Sequence, residues 1–194
     1  MAQGKKNTAR LGASLVFLDE SGLLMMPFVR RTWAPRGQTP CLRQRTNSYR
    51  KVSAIAVLVV SPRRDRVRLL FWLHPNANIN AASALSFLRE LRRHIRGPMI
   101  LIWDRLQAHR ARIVQSYIAG KRTWRSDFLP PYTPELNPVE YVWCYLKTNS
   151  LANEALYDLE SLTRAARRHG RSLQRRQSLL RSCLKHSPLF LRLH

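Results

Sequence analysis

Asp19, Asp104 and Glu140 are the residues of this 194-residue chain whose types and positions can do chemistry together. Only 11 residues are acidic against 34 Lys and Arg, so where the carboxylates fall carries information. Asp19 closes the apolar run Ser14-Leu-Val-Phe-Leu-Asp19, and Asp104 closes Met99-Ile-Leu-Ile-Trp-Asp104. Ligands of open α/β sheets gather beyond the carboxyl ends of the strands, so the two acids face one site if their strands are neighbours. Each alone also fits a turn cap. Glu140 ends Asn137-Pro-Val-Glu140, which reads as an N-cap, a proline at the first helical position and a glutamate three residues after the cap. Its side chain therefore serves either a capping box or a metal ion. Mg²⁺ takes oxygen ligands, typically one or two carboxylates plus substrate phosphates, so three acids can hold two ions. Two ions about 3.5 to 4 Å apart stabilise the attacking and leaving oxygens of a phosphodiester displacement. Lys147, two turns beyond Glu140 on nearly the same helical face, is placed to meet a phosphate.

The charge balance points to the substrate class. The formal net charge is +23, a field that attracts polyanions, nucleic acid first among them. Six of the basic residues are Lys and 28 are Arg, whose planar fork meets phosphate oxygens in pairs. Arg-favouring codons of a GC-rich genome explain that bias equally well, but leave the charge in place. Between Glu20 and Asp65 there are nine basic residues and no acidic one. Cys41, Cys144 and Cys183 are odd in number and lack CxxC spacing, which argues against a disulfide framework or a structural zinc and suits a reducing cytoplasm. The longest apolar stretch, residues 52–60, is about half of what a membrane span needs, so no membrane association is expected. Lys5, Lys6 and Arg10 before an apolar run imitate a signal peptide, but Asp19 and Glu20 stand where a cleavage site of small residues would be required.

The elements that must position these acids follow from periodicity. Residues 1–12 read as a basic arm, residues 14–19 as a buried strand turned at Gly22, and residues 28–33 as a second strand before a loop stiffened by Pro35 and Pro40. Residues 51–60 and 66–73 form a hairpin around Ser61-Pro-Arg-Arg-Asp65. Leu85, Leu88, Leu91 and Ile95 make the apolar stripe of a helix stopped at Gly97-Pro98. Residues 99–103 are apolar without alternation, as in a central strand covered on both faces. A short helix over 108–119, an edge strand over 126–129, and a helix from Val139 with Val142, Trp143 and Leu146 on its core face complete the order β-β-β-α-β-α-β-α. Beyond Glu160, nine basic residues and no acid accompany helical spacing interrupted near Gly170; this reads as a solvated tail or as a DNA-backbone contact.

Four blocks carry a resemblance. Leu18-Asp-Glu-Ser-Gly22, Arg31-Thr-Trp-Ala-Pro-Arg-Gly-Gln-Thr-Pro40, Ile102-Trp-Asp-Arg-Leu-Gln-Ala-His109 and Pro131-Tyr-Thr-Pro-Glu-Leu-Asn-Pro-Val-Glu140 resemble the blocks of bacterial insertion-sequence transposases of the mariner superfamily, DDE-type enzymes. The 35 residues between Asp104 and Glu140 match the short final spacing of that group. The resemblance implies an α/β, ribonuclease-H-like mixed sheet, three antiparallel strands then parallel ones, flanked by helices. It implies Asp19, Asp104 and Glu140 as catalytic metal ligands for two Mg²⁺, with Mn²⁺ as a substitute, and His109 and Asn137 as supporting residues. It implies cleavage at transposon ends, strand transfer into target DNA, and a homodimer in the DNA complex. The Trp33 to Pro40 loop matches a segment that reaches across that dimer in relatives; ordinary packing is the other reading of Trp33. Arg30, Arg31, Trp33, Arg36 and Lys147 are the expected DNA contacts.

Two departures qualify the expectation. Arg105 stands where many relatives have Asn after the second aspartate. Relatives also carry helix-turn-helix modules ahead of the catalytic domain, whereas about a dozen residues precede the first strand here. The expected organisation is a basic arm (1–12), a DDE catalytic domain (13–150) and a basic helical C-terminal extension (151–194), working with a separate or lost helix-turn-helix subunit in a bacterial cytoplasm at the nucleoid. The alternative is an inactive remnant or another non-enzymatic basic protein that binds nucleic acid by charge.

Overall fold

The computed structural model describes residues 12–26, 29–41, 50–189 and 193. The expected basic arm lies almost entirely outside them. Three strands come first: β1 (Ser14–Leu24), β2 (Lys51–Val60) and β3 (Val67–Pro75), paired antiparallel in the order β3-β2-β1. β4 (Met99–Trp103) then pairs parallel with β1, and β5 (Trp124–Phe128) pairs parallel with β4, giving the sheet order β3-β2-β1-β4-β5. Helices cover both faces, which is why β2 is apolar along its whole length instead of alternating. This is the mixed ribonuclease-H-like α/β architecture that the resemblance implies, and it agrees with the order of elements read from the sequence.

On one face lie α1 (Ala81–His94), α2 (Gln107–Arg110) and α3 (Arg112–Ala119), packed through Leu88, Leu91 and Val114 against Val16, Leu18 and Val57. An Asn80–Ser83 capping box starts α1, and Arg92, Arg93 and His94 sit in its last turn, where cations suit the helix dipole. On the other face lie α4 (Pro138–Tyr145), continued by a π turn (Leu146–Ser150), then α5 (Leu159–Gln174) and α6 (Gln177–His186). Val142, Trp143, Leu162, Leu173 and Leu184 pack there with Phe17 and Leu58. The basic C-terminal segment thus contributes to the same core as the strands.

Several boundaries differ from the expectation. β1 continues through Gly22 to Leu24, because β2 is long enough to pair with it over ten residues. No strand forms over residues 29–33, which are exposed and pair with no strand among the described residues; Phe28 lies outside the described residues. The expected helix over 108–119 is two helices, broken at Ala111 (φ −57°, ψ 137°). β5 starts at Trp124, whose side chain is buried. The expected interruption at Gly170 is absent: α5 runs straight through it, and a Cβ there would come within 2.5 Å of the Phe71 ring. The glycine permits close approach of α5 to β3, and the helix ends instead at Arg175.

β3 is an edge strand, and side chains of the helical layer occupy backbone groups at its start. Gln174 Nε2 donates to Leu69 O at 3.0 Å, and Gln177 Nε2 donates to Val67 O at 2.6 Å. Such cover blunts this part of the edge against pairing with another chain.

Candidate active site

Strand register brings the first two acids together. Phe17 of β1 pairs with Ile102 of β4, so Asp19 and Asp104, each two residues further along parallel strands, come level. Alternation directs Asp19 to the same face as Phe17, towards α4, and Glu20 to the opposite face. Glu140 enters from the first turn of α4. Asn137 fixes that entry: its side chain accepts from Val139 N at 3.2 Å as the N-cap, and its Nδ2 donates to Leu18 O at 3.0 Å. One buried amide therefore joins the helix of Glu140 to the strand of Asp19. The Asn137 N–H bonds Pro134 O, so Glu140 takes no part in a capping box and lines the cleft instead.

Asp19, Asp104 and Glu140 share a cleft of about 310 Å³, with Arg105 and Tyr132 also among its lining residues. Burial, followed by the charges of Glu140, Glu20 and Asp104, pushes the Asp19 carboxyl up to about 8. The Trp143 indole opposes this rise weakly, yet Asp19 Oδ2 and Trp143 Nε1 are both buried without completing a hydrogen bond. Burial also raises Glu140; Lys147 counteracts that rise, and Asp104 adds to it. The three carboxylates thus stand in mutual repulsion, which a cation relieves.

His109 lies behind them, fully buried and stacked on Trp103 at 4.2 Å between ring centroids. Its Nδ1 is 2.7 Å from Asp104 Oδ1 and its Nε2 is 2.7 Å from Glu20 Oε1. Burial alone would lower the imidazole, but the hydrogen bonds and charges of Asp104 and Glu20 outweigh it and hold it up at about 9. The bond from His109 in turn holds Asp104 below the usual carboxylate range. Glu20, Asp104 and His109 offer ligand atoms all within 4.8 Å of one another, a set able to chelate a metal ion. With both ring nitrogens on carboxylates, a proton on His109 meets the same need for positive charge.

The family of DDE superfamily endonucleases matches residues 14–163, which contain all of these acids. The chain belongs to that family. This DDE domain has the fold of the Mos1 transposase strand-transfer complex (TM-score 0.59, 19% identity, 97% of this chain and 59% of that one) and of the mariner Mos1 paired-end complex with Mg (TM-score 0.59, 18% identity, 98% and 63%). It likewise resembles the Mos1 transposase catalytic domain with raltegravir and Mg (TM-score 0.54, 16% identity, 97% and 95%). It is also 49% identical over 35 residues to the uncharacterized protein y4pE/y4sA of Sinorhizobium fredii, over 18% of this chain and 26% of that protein. The chain thus spans about a quarter of that relative's length, and 59–63% of the chains in the two larger Mos1 complexes.

Of the residues expected at the site, the domain gathers Asp19, Asp104, Glu140 and Asn137 at the cleft, with His109 bonded to Asp104 and Lys147 acting electrostatically on Glu140. Apart from Lys147, which lies in the π turn after α4, the expected DNA contacts lie on the exposed segment 29–41. There the Asn153 side-chain amide exchanges two hydrogen bonds with the Arg30 backbone, accepting from N and donating to O at 2.9 Å each, and the Arg30 guanidinium donates to Thr148 O and the Asn149 side chain. Arg31 and Arg36 are exposed, and Trp33 is 100% exposed, packed against none of the described residues. Sequence reasoning missed Glu20. The available signal was its place directly after Asp19, since strand alternation sends the second acid to the face where His109 lies. No described helix is long and apolar enough to cross a membrane.

Proposed function

We propose that this chain is the catalytic domain of a DNA transposase, cutting phosphodiesters at transposon ends and transferring the freed strand into target DNA. The observation that carries this reading is the buried Asp19 oxygen with no donor, in one cleft with Asp104 and Glu140. A buried carboxylate oxygen without a partner is costly, and a divalent cation satisfies it. Hard oxygen donors suit Mg²⁺, with Mn²⁺ as a substitute, and Asp19, Asp104 and Glu140 would hold two such ions. When bound, the pair supplies charge stabilisation at the attacking and leaving oxygens.

The remaining work belongs to the chain itself. His109, charged and clamped by Glu20, fixes Asp104 through Oδ1 and leaves Oδ2 for a cation. Asn137 sets the separation of Asp19 and Glu140. Lys147 and Arg105 draw the phosphate backbone towards the cleft, and Tyr132, 99% exposed at its rim, offers a stacking face to an unpaired base. Arg30 anchors the 29–41 segment, so that Arg31, Trp33 and Arg36 grip DNA or the partner in a homodimer holding two ends. End recognition falls to a helix-turn-helix module, and the working place is the bacterial nucleoid.

The test is Mg²⁺-dependent nicking of plasmid DNA by the whole chain and by Asp104→Ala. The variant should lose nicking while its DNA affinity stays equal or rises, because a negative charge has gone. Nicking at the parental rate by the variant would reject the reading. Salt-sensitive DNA binding without nicking by the parent would favour a non-catalytic basic binder.

A further inference from the structure

Arg164, Arg167, Arg168, Arg171, Arg175 and Arg176 line a concave surface of about 550 Å³ along the outer side of α5. Two of the six are neutralised at the surface, Arg164 by Glu160 at 2.6 Å and Arg168 by Glu154 at 2.8 Å, and Arg176 donates to the Tyr145 hydroxyl. Arg167, Arg171 and Arg175 have no carboxylate or hydrogen-bond partner among the described residues. Their spacing of four residues makes one stripe about 12 Å long, stepping about 6 Å per guanidinium. Like charges so arranged repel one another, and a bound polyanion offsets that repulsion while releasing its own counterions.

The stripe is rigidly mounted. Ala165, Ala166, Gly170 and Leu173 form the buried side of α5, and the close approach of Gly170 to Phe71 fixes the helix on β3. Gln174 ties the same turn to Leu69 O. The arginines therefore need little ordering on binding, which lowers the entropic cost of each contact. α5 packs in the same helical layer as α4, the helix that carries Glu140.

We propose that this stripe is a second DNA surface, taking the sugar-phosphate backbone of a duplex whose cleaved strand enters the carboxylate cleft; this rests on the reading of the cleft given above. Over about 12 Å a duplex displays about seven phosphates, enough to engage all three free guanidiniums. Contact of this kind is sequence-tolerant and sets the path of flanking DNA, not the choice of site.

The experiment is duplex binding by the whole chain, followed by fluorescence anisotropy across a range of KCl concentrations in EDTA, so that no cleavage intervenes. Replacing Arg167, Arg171 and Arg175 together by Gln should lower the slope of log affinity against log salt by about 3, while replacing all three by Lys should restore most of it. Melting temperatures like the parent's show that the exposed substitutions leave the fold intact. A parental slope and affinity in the Gln variant would overturn the proposal even if the parent nicks DNA. A lost slope together with a parent that never nicks would keep the stripe and overturn the catalytic reading. Gln substitutions that weaken binding to acidic phospholipid vesicles but not to duplex would also overturn it.

Discussion

His109 Nδ1 lies 2.7 Å from Asp104 Oδ1. That bond joins the helical layer on one side of the sheet to the acid that serves the cleft on the other. Asp104 belongs to no strand; it follows β4 and is half exposed, and its Oδ1 is held by His109 and by the Leu106 N–H, which donates to it at 3.0 Å. Glu20 Oε1, on the far nitrogen of the ring, keeps the imidazole charged and its plane fixed. Second partners of this kind orient a ligand without touching the metal.

Glu20→Gln should therefore weaken activity through metal use. The expected loss is about 10- to 100-fold, expressed as a higher Mg²⁺ concentration for half-maximal nicking, with DNA affinity unchanged. His109→Asn should do the same more strongly. A Glu20→Gln enzyme whose Mg²⁺ requirement matches the parent's would show that Glu20 merely packs.

Stability in the absence of divalent ions should fall as pH rises. Asp19 is raised from 3.8 to about 8 and His109 from 6.5 to about 9, so the folded chain binds more protons than the unfolded one. The stability from Asp19 is complete below about 4 and is lost up to about 8, and that from His109 is lost between about 6.5 and 9. Asp104, shifted down, acts in the opposite sense, but only as pH falls into the acid range. Because a cation replaces the proton on Asp19, the gain in melting temperature on adding Mg²⁺ should be larger near pH 8.5 than near pH 6, at roughly equal salt. An equal gain at both would contradict the assignment.

Asn137→Ala removes an N-cap and the bond to Leu18 O at once. We expect a loss of about 1 to 2 kcal/mol in denaturant unfolding. Nicking should fall further than stability does, since Asp19 and Glu140 lose their common reference. Asn137→Asp keeps the cap acceptor but has no donor for Leu18 O, so it should recover stability only in part.

Gly170→Ala places a methyl against the Phe71 ring, and overpacking of this kind costs about 1 to 3 kcal/mol. Phe71→Leu in the same chain should recover part of the loss, an interaction that a double-mutant cycle measures. Additive losses would show that the helix tolerates the methyl by shifting.

How far the sequence could be read follows from the range of the physics involved. Strand and helix identities were readable because they depend on local periodicity: the apolar run 52–60 and the stripe Leu85, Leu88 and Leu91 needed no partner to be recognised. Asp19, Asp104 and Glu140 were readable because each borders an apolar run or a helix start, and the fold brings them to one cleft, although Asp19 lies mid-way along β1 and not at its end. Glu20 was not, since its role depends on His109, 89 residues away, and on which face alternation gives it. Gly170 was misread as a break because propensity is a weak prior, and a single close contact with Phe71 overrides it. Residues 29–33 carry β-formers, yet among the described residues no strand pairs with them.

The central claim is that Asp19, Asp104 and Glu140 hold the divalent ions, with Glu20 and His109 acting behind Asp104. Calorimetric titration of Mn²⁺ into the whole chain and its single variants tests this directly. Asp19→Asn and Glu140→Gln should each abolish at least one binding event, while Glu20→Gln should keep the parental number of ions at reduced affinity. Parental binding by Asp19→Asn and Glu140→Gln, with loss only in Glu20→Gln, would place the ion among Glu20, Asp104 and His109 and contradict the account.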